Sequence, residues 1–321
     1  MKILVTGGAG FIGSNLCDAL LERNYEVHCM DNLLTGKYSN ISHLIGNPRF
    51  TFFETDIRSM DACKEAMNGC DIVAHLAALG SVPRSINDPL TTNSINIDGF
   101  LNVIHTAKEL DIKRFVFAAS SSTYGDSASL PKVEDIIGNP LSPYAVGKYV
   151  NELYAHVYAL NYGLSYIGLR YFNVFGKRQD PHGAYAAVIP KFIQQFLDGE
   201  APTINGDGTN TRDFTHIENV VDATVLAIEN TKVDADNQIY NVAYGSSTSL
   251  NELVSLIKDA IALRKPQATL PKVSYGPFRK GDIPHSLASI DKIKTNLDYS
   301  PSVSIKEGIQ KTVDWILSST R

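Results

Sequence analysis

The sequence lacks long apolar runs, an excess of positive charge and any dense group of cysteines. It has 321 residues and a formal net charge of −5, so no broad basic surface for nucleic acid is expected. No apolar stretch approaches the roughly 20 residues that cross a bilayer. Because an apolar strand pattern starts directly at the N-terminus, without a secretory signal, we expect a cytoplasmic protein that binds neither nucleic acid nor membrane.

Cysteine and histidine spacing gives no metal signature. The four cysteines, Cys17, Cys29, Cys63 and Cys70, form no C-x-x-C pair, and the eight histidines form no H-x-x-x-H motif. Protein metal sites depend on such spacings, so no metal is predicted. Disulfides are not expected in a reducing compartment. An anionic ligand would therefore have to be held by a few local arginines.

Short apolar runs alternate with helical patterns over the first 170 residues. The runs predict strands over residues 2–6, 26–30, 50–54, 72–75, 114–118 and 165–170. The helical patterns cover residues 12–22, 60–67, 89–110 and 144–161. Strands that are apolar along their whole length are typical of a parallel sheet covered by helices on both faces. The predicted fold class is α/β, with a Rossmann-type doubly wound parallel sheet.

A glycine-rich segment, Gly7-x-x-Gly10-x-x-Gly13, follows the first strand and opens the first helix. Glycine there lets the backbone turn sharply and approach a pyrophosphate, and the helix N-terminus presents free N–H groups to the phosphates. Strand, turn and helix together are the context that this fingerprint needs. The segment therefore predicts a dinucleotide site.

Asp31 ends the second strand about 20 residues later, where an acid can hydrogen-bond the adenosine ribose hydroxyls. A carboxylate at that position repels a 2′-phosphate, so NAD is the expected cofactor. Residues after the third and fourth strands would face the same ligand. The cofactor contacts predicted from these turns are Gly7, Gly10, Phe11, Ile12, Gly13, Asp31, Asn32, Asp56, Ile57, Leu76, Ala77 and Ala78.

Tyr144 and Lys148 lie four residues apart in a helical pattern, so both project from one helix face. A free phenol has a pKa near 10 and is a poor base at neutral pH. A lysine ammonium one turn away, together with the positive charge of NAD⁺, is expected to lower the pKa of the phenol. Ser120 stands near the end of a predicted strand. We therefore predict hydride chemistry on an alcohol, with proton transfer at Tyr144.

The composition changes after about residue 172, where glycine and proline become frequent. Helical patterns return near residues 187–197, 217–228, 250–261 and 305–317. We expect residues 1–172 to form the NAD-binding domain and residues 173–321 to form mainly a smaller α/β lobe for the substrate. A segment near residues 215–245 is expected to pack back on the first domain.

The whole chain resembles the extended short-chain dehydrogenase/reductase superfamily, and in particular its nucleotide-sugar 4-epimerases. The resemblance rests on residues 6–13, 120–125 and 170–176, on Tyr144-x-x-x-Lys148 and on Arg279-x-Gly281-Asp282. Residues 78–85 and 179–190 are similar to the UDP-N-acetylglucosamine 4-epimerase branch. Together these motifs are highly specific.

The resemblance implies a role for each matching position. Tyr144 would take the proton of the sugar 4-hydroxyl, Ser120 would hydrogen-bond that oxygen, and Lys148 would tune the phenol and hold the nicotinamide ribose. Further cofactor contacts would come from Asn96 and Tyr171. The expected residues around the UDP-sugar are Ser81, Arg84, Ser120, Ser122, Asn173, Val188, Asn205, Arg212, Arg279, Asp282 and Ser286.

Ser121 and Ser122 bear on the reaction type. The 4,6-dehydratases that this chain resembles carry an Asp-Glu pair at these two positions, and the related decarboxylases carry a Glu at the second. Serine hydroxyls are poor substitutes for such acids. Epimerisation through a transient 4-keto sugar is therefore favoured, and a dehydratase, a decarboxylase or a non-catalytic dinucleotide-binding protein are the alternatives.

The sugar is indicated by Ser286, four residues after Asp282. Epimerases restricted to glucose and galactose resemble this segment but carry a tyrosine there, so serine leaves room for an N-acetyl group. UDP-glucose remains an alternative, and so does a UDP-N-acetylhexosaminuronate, because Arg84 could meet a 6-carboxylate. The resemblance also implies supply of amino sugars for surface polysaccharide. It further implies a homodimer formed through helices 89–110 and 144–161, with Val103, Leu153 and Val157 on apolar stripes.

Overall fold

The computed structural model describes residues 1–182, 186–278 and 283–319. The strands in these ranges are β1 (Lys2–Thr6), β2 (Glu26–Asp31), β3 (Phe50–Glu54), β4 (Ile72–His75), β5 (Arg114–Ser120), β6 (Tyr166–Tyr171), β7 (Val174–Phe175), β8 (Thr203–Asn205), β9 (Thr211–Arg212), β10 (Thr215–His216), β11 (Gln238–Val242), β12 (Thr248–Ser249) and β13 (Ser274–Gly276). The α-helices are α1 (Phe11–Glu22), α2 (Met60–Met67), α3 (Val82–Asn87), α4 (Pro89–Asn93), α5 (Gly99–Glu109), α6 (Pro143–Tyr162), α7 (Val188–Leu197), α8 (Ile217–Glu229), α9 (Leu250–Arg264), α10 (Asp291–Leu297) and α11 (Ile305–Ser319).

Seven strands form one parallel sheet in the order β11-β6-β5-β4-β1-β2-β3. The chain starts in the middle of the sheet and winds outward in both directions, so the carboxyl ends of the strands meet at one edge. This confirms the predicted α/β class with its doubly wound parallel sheet. Three two-stranded sheets, β10-β7, β12-β9 and β13-β8, belong to the C-terminal part.

Apolar side chains fill both faces of the sheet. On one face the core includes Leu16 and Leu20 of α1 and Val220 of α8, and α1 and α8 pack against each other. On the other face it includes Phe100 of α5 and Ala155 of α6. Burial on both faces explains why these strands are apolar along their whole length rather than alternating.

A third core lies in the C-terminal part, between α7, α9 and α11. By contrast, β11 pairs in register with β6 at the sheet edge, Gln238 opposite Ile167 and Val242 opposite Tyr171. The chain from α8 to β11 thus belongs with the large sheet, as does α10, whose Ile293 and Leu297 lie in the core of that sheet, while α7, α9 and α11 build the separate core. No strand was predicted over residues 238–242, because one short segment gives little periodicity to read.

The segment predicted as one helix over residues 89–110 is divided into α4, a π-helical turn at Ser94–Asp98 and α5. Such turns insert an extra residue into the helix and re-aim its side chains. Val103, which was expected on an apolar stripe available to a second chain, is completely buried, because its face of α5 packs in the core of the sheet.

Local signals set both ends of α6, the helix that carries Tyr144. The Ser142 hydroxyl caps its first turn by accepting the Ala145 N–H at 3.1 Å, and Pro143 occupies the first helical position. Gly163 ends the helix with a φ of +70°. Among the described residues, no helix combines the length and apolarity needed to span a bilayer.

Candidate functional site

A cavity of about 570 Å³ opens at the carboxyl edge of the large sheet. It receives residues from the turns after β1, β2, β3 and β4, from the end of β5, and from α6. The predicted site residues that line it are Gly7, Gly10, Phe11, Ile12, Gly13, Asp31, Asn32, Asp56, Ile57, Leu76, Ala77, Ala78, Ser81, Arg84, Ser120, Tyr144, Lys148, Tyr171 and Asn173. One pocket thus unites residues as far apart in the sequence as Gly7 and Asn173, which are 166 positions apart.

The glycine loop forms a tight cradle for a phosphate group. Gly7 has a φ of +70°, and a Cβ atom on it would lie 2.7 Å from the Ala77 nitrogen. A Cβ atom on Gly13 would lie 2.1 Å from the Gly7 carbonyl oxygen. Gly10 precedes the first turn of α1 and has no side chain to cap it. The N–H groups of that turn can therefore bind a pyrophosphate, so this loop fits a dinucleotide.

Asp31 is 9% exposed and braces the same loop. One carboxylate oxygen accepts the Ala9 N–H at 3.0 Å and the other accepts the Leu33 N–H at 2.8 Å. Burial raises the pKa of Asp31, and these N–H groups oppose the rise. Each carboxylate oxygen has two acceptor sites, which leaves capacity for ribose hydroxyls.

The turns after β2 and β3 are joined through Asp56. Asn32 donates its Nδ2 to the Asp56 carboxylate at 2.7 Å, and Arg58 contacts both Asp56 oxygens at 3.0 and 2.8 Å. Arg58 and Asn32 lower the pKa of Asp56 to about 2. Asp56 is therefore ionised at neutral pH and positions Asn32 at the cavity wall.

Tyr144, Lys148 and Ser120 meet in the cavity. Ser120 and Tyr144 line the same wall, and the Ser120 hydroxyl acts to lower the pKa of the Tyr144 phenol. The Lys148 Nζ donates to the Ala118 carbonyl at 2.6 Å, and Lys148 as a whole is 3% exposed. Burial lowers the pKa of Lys148 to about 8, against the opposing effect of Glu152. The lysine still carries its charge at neutral pH.

The expected lowering of the Tyr144 pKa is not a property of the chain alone. Burial raises the pKa of the phenol, and only the hydrogen bond from Ser120 opposes the rise. The cause is desolvation, which disfavours the phenolate in a partly enclosed cavity. We therefore expect a lowered pKa only in the presence of bound NAD⁺, whose positive charge favours the phenolate.

Asn96 lies behind the cavity wall and not in it. Its Oδ1 accepts the Leu79 N–H at 2.7 Å, and its Nδ2 donates to the Leu79 carbonyl at 3.1 Å. The π-helical turn that contains Asn96 aims its amide at this loop. Tyr171 lines the cavity, but its hydroxyl is engaged with Thr224 at 2.8 Å. Asn96 thus holds the turn after β4, whose neighbours Ala77 and Ala78 line the cavity.

Ser122 also lies outside the cavity lining, because its hydroxyl turns toward Ser120 at 2.9 Å. Ser81 and Asn173 line the cavity, and both have positive φ values, +95° and +34°. Non-glycine residues in that region are strained and are common at ligand sites. Asn173 is held by a bond from its Nδ2 to the Asp213 carbonyl at 3.0 Å.

The other predicted substrate residues form a separate group in the C-terminal part. Arg212 donates to the Pro284 carbonyl at 3.2 Å, and the Ser286 N–H donates to the Thr211 carbonyl at 3.1 Å. Val188 begins α7 and Asn205 ends β8. None of these four predicted residues, Val188, Asn205, Arg212 and Ser286, lies in the cavity lining, and Arg279 and Asp282 lie outside the described residues.

Buried Asp213 connects this group to the cavity. Its carboxylate accepts N–H groups of Tyr244, Gly245 and Ala288 at 3.1 to 3.3 Å. Its carbonyl accepts the amide of Asn173, which lines the cavity. Burial raises the pKa of Asp213 to about 7, and the N–H groups oppose the rise. Asp213 was not predicted, because nothing in its local sequence marks a side chain that binds distant main chain.

Sequence reasoning also missed Thr35, Gln179 and Asp180, which line the cavity. Asp180 is paired with Lys37 at 2.9 Å, so the segment after β7 lies against the turn after β2. The resemblance covered residues 179–190, and that match was the available signal. No residue type in these segments indicated a contact.

Comparison with known proteins gives a consistent result. The profile of the NAD dependent epimerase/dehydratase family matches residues 3–243. The UDP-N-acetylglucosamine 4-epimerase of Methanobrevibacter ruminantium, solved with UDP-N-acetylmuramic acid, is 39% identical, with a TM-score of 0.92 over 99% of this chain and 98% of that one. The UDP-glucose 4-epimerase of Thermotoga maritima, solved with UDP-glucose, is 36% identical, with a TM-score of 0.91 over the full length of both.

A third structure is the UDP-glucuronic acid 4-epimerase of Bacillus cereus, solved with UDP-glucuronic acid and NAD. It is 34% identical, with a TM-score of 0.90 over 99% of this chain and all of that one. NAD is confirmed as the cofactor by the family and by such structures. The chain belongs to the NAD-dependent epimerase/dehydratase family, among its nucleotide-sugar 4-epimerases.

Proposed function

We propose that the protein interconverts UDP-N-acetylglucosamine and UDP-N-acetylgalactosamine by epimerisation at C4. The observation that carries the reaction is that Tyr144, Ser120 and Lys148 line the same cavity as the glycine loop. Bound NAD supplies the acceptor and donor for the C4 hydride. Every other part of the reaction is a proton transfer or a binding task for this chain.

The proton task falls to Tyr144. Its phenolate accepts the proton of the 4-hydroxyl as C4 becomes a ketone, and the phenol returns the proton when the alcohol re-forms. Ser120 has one proton to donate: it hydrogen-bonds the phenolate before the transfer and the sugar 4-oxygen once the phenol is protonated. Lys148 supports the phenolate with a buried positive charge and is fixed by the Ala118 carbonyl.

Ser121 and Ser122 favour epimerisation over elimination or decarboxylation. Those reactions need an additional acid or base at the sugar, and a serine hydroxyl titrates far above neutral pH. The Ser122 hydroxyl is moreover engaged with Ser120. The chain at this position therefore supports the minimal reaction, in which substrate and product differ only at C4.

The choice of an N-acetyl sugar rests on Ser286. Its N–H binds the Thr211 carbonyl, so its side chain belongs to the same local structure as Arg212. A serine side chain is six heavy atoms smaller than the tyrosine of the glucose-restricted epimerases that this segment resembles. We propose that this space admits the acetamide, and that Arg212 binds the diphosphate.

A UDP-N-acetylhexosaminuronate is the second candidate substrate, because Arg84 lines the cavity. A guanidinium there could bind a 6-carboxylate in a bidentate manner. The two candidates share the reaction and differ only in the group at C6, so a direct comparison of sugars separates them.

The test is turnover without added cofactor. Purified protein is incubated separately with UDP-N-acetylglucosamine, its 6-carboxylate, UDP-glucose and UDP-glucuronic acid, and products are followed by proton NMR. We expect the galacto product from UDP-N-acetylglucosamine at a rate at least about tenfold above the others. Faster turnover of an acid would replace the substrate assignment, and no 4-epimer from any sugar would refute the function.

Two variants sharpen the test. Tyr144→Phe keeps the ring but cannot move a proton, so turnover should fall by about 10²–10⁴-fold while bound NAD is retained. Ser286→Tyr should suppress the N-acetyl substrate selectively and leave UDP-glucose turnover within about twofold. Ser286→Ala is the control, because it removes the hydroxyl and keeps the space. Equal loss in both Ser286 variants would contradict the size argument.

We also propose that two copies of the chain associate through α6. Val146, Leu153, Val157 and Leu160 are 45–71% exposed and lie at intervals of seven, four and three residues, which puts them on one face of this helix. Leu90, on the neighbouring α4, is 82% exposed. Exposed apolar patches of this kind mark association surfaces.

The oligomeric state can be measured by sedimentation or light scattering. Wild type should have the mass of two chains, and Val157→Glu together with Leu160→Glu should yield single chains. Leu263→Glu on α9 is the control, because Leu263 is 60% exposed and lies on a different helix. A monomeric wild type would refute the proposed dimer.

A further inference from the structure

Two hydrogen bonds join Ser122 to the side chain of Ser120 at the start of the turn after β5. The Ser120 side-chain oxygen accepts the Ser122 N–H at 3.2 Å and the Ser122 hydroxyl at 2.9 Å. Ser120 is 8% exposed, and its φ of −149° and ψ of +142° still belong to the strand. The turn that follows is tight, so both donors come from a single residue.

The hydrogen bonds that the Ser120 oxygen accepts determine which role remains for its own proton. A hydroxyl has two acceptor lone pairs and one proton to donate. Ser122 fills both acceptor positions. Ser120 can therefore act only as a donor toward a third partner. Tyr144 lines the same cavity and is the side chain whose pKa Ser120 lowers.

We propose that Ser122 is a positioning residue for the reaction, which fills both acceptor sites of Ser120 and so turns the Ser120 proton toward the oxygen of Tyr144. This goes beyond the proposed function and rests on it for the proton transfer at Tyr144. It also assigns Ser122 a task other than sugar binding, in agreement with its place outside the cavity lining.

The orientation matters because the two protonation states of Tyr144 respond differently to a donor. A hydrogen bond donated to a phenolate is charge-assisted and roughly twice as strong as one donated to a neutral phenol. A Ser120 that is free to rotate could instead accept the phenolic proton, which would stabilise the neutral form. By excluding that second arrangement, Ser122 favours the form of Tyr144 that accepts a proton from the substrate.

The protein alone offers few other groups that act on this phenol. Burial disfavours the phenolate and the bond from Ser120 favours it. Lys148, one turn along α6, lines the same cavity and carries its proton at neutral pH. A change at Ser122 alters neither the burial of Tyr144 nor the charge of Lys148. It alters only the direction of the Ser120 proton, so its effect on the pKa of Tyr144 can be measured separately.

The primary experiment is an ultraviolet titration of tyrosine in the NAD-loaded protein. The Tyr144 component is obtained as the difference between each variant and the same variant carrying Tyr144→Phe. Ser122→Ala should raise the pKa of Tyr144 by roughly half to one unit, since one hydrogen bond to a charged group is weakened. Ser122→Thr keeps the hydroxyl and should titrate like wild type.

Ser121→Ala is the matched control, because it removes the adjacent hydroxyl from the same turn and should leave the titration within about 0.2 unit. Ser122→Cys offers a second route should the alanine variant not fold. A thiol is a weak donor, so it should move the pKa of Tyr144 in the same direction by a smaller amount. An unchanged titration in the folded Ser122 variant, or an equal shift in Ser121→Ala, would overturn the proposal.

Kinetics supply a second readout. Ser122→Ala should lower kcat about fivefold at pH 7, leave KM within about twofold, and move the acidic limb of the kcat profile to higher pH. A rise in KM with an unchanged Tyr144 titration would instead make Ser122 a substrate contact and overturn the inference. Failure of wild type to epimerise any UDP-sugar would refute the proposed function, whereas the titration still tests Ser122.

Discussion

The pair formed by Glu152 and Arg170 gives the sharpest stability prediction, because both charges are buried. Glu152 is 6% exposed and Arg170 is 3% exposed. Two hydrogen bonds of 2.9 and 2.7 Å join their planar groups. Arg170 also donates to the Glu134 carbonyl at 2.8 Å and lies over the Tyr124 ring at 4.9 Å. The pair connects α6 to β6.

Removing one partner leaves the other charge buried without a counter-charge. That typically costs about 3–5 kcal/mol of the free energy of unfolding, which lowers Tm by on the order of 5–15 °C for a chain of this size. We expect this from Glu152→Met and from Arg170→Met separately. Arg170→Met also leaves the Glu134 carbonyl unpaired, which adds about 1–3 kcal/mol.

The double variant, Glu152→Met with Arg170→Met, should cost much less than the sum of the two single changes, because no charge remains buried. Urea unfolding followed by circular dichroism measures all three free energies. Lys113→Met is the control: its pair with Asp71 is exposed, with 75% of the lysine side chain accessible, and should contribute less than about 1 kcal/mol. Additive single effects, or single losses below about 1 kcal/mol, would refute the reasoning.

Three further predictions concern the cavity. Gly13→Ala should weaken NAD binding at least about tenfold, because the added Cβ would meet a main-chain oxygen at 2.1 Å. The NAD content of the protein after desalting measures this. Gly276→Ala is the control, because a Cβ there has only ordinary contacts. Turnover should decline as pH rises through about 8, where Lys148 loses its proton, and Lys148→Arg should remove that alkaline limb; a rate unchanged to pH 9.5 would contradict the assignment. Asn96→Ala should lower the free energy of unfolding by about 2–4 kcal/mol and weaken NAD binding, because two main-chain groups after β4 lose their partners. Calorimetry of NAD binding tests this, and an unchanged affinity would refute a link between that turn and the cofactor.

Much of the site was predictable because its signals are local. The spacing of Gly7, Gly10 and Gly13, the acid at the end of β2, and a tyrosine four residues before a lysine each act within one turn or one helix. The parallel sheet then brings them together, since its strands share one carboxyl edge. All of these residues line the cavity.

What could not be predicted depends on contacts between distant segments. Asn96 faces Leu79 because of a π-helical turn, which has no simple sequence period. Val103 is buried because its face of α5 packs on the sheet. β11 exists as a strand because β6 offers it an edge. A resemblance can name such residues, but it does not give their partners.

The sequence by itself determined the fold class and the cofactor and predicted the group that moves the proton, since each depends on short-range pattern and on side-chain chemistry. Only the tertiary structure decided how these groups are tuned. Burial raises the pKa of Tyr144 and lowers that of Lys148, and the two bonds from Ser122 to Ser120 set the direction of a proton. Desolvation and hydrogen-bond direction are properties of a three-dimensional environment, so no reading of residue order alone contains them.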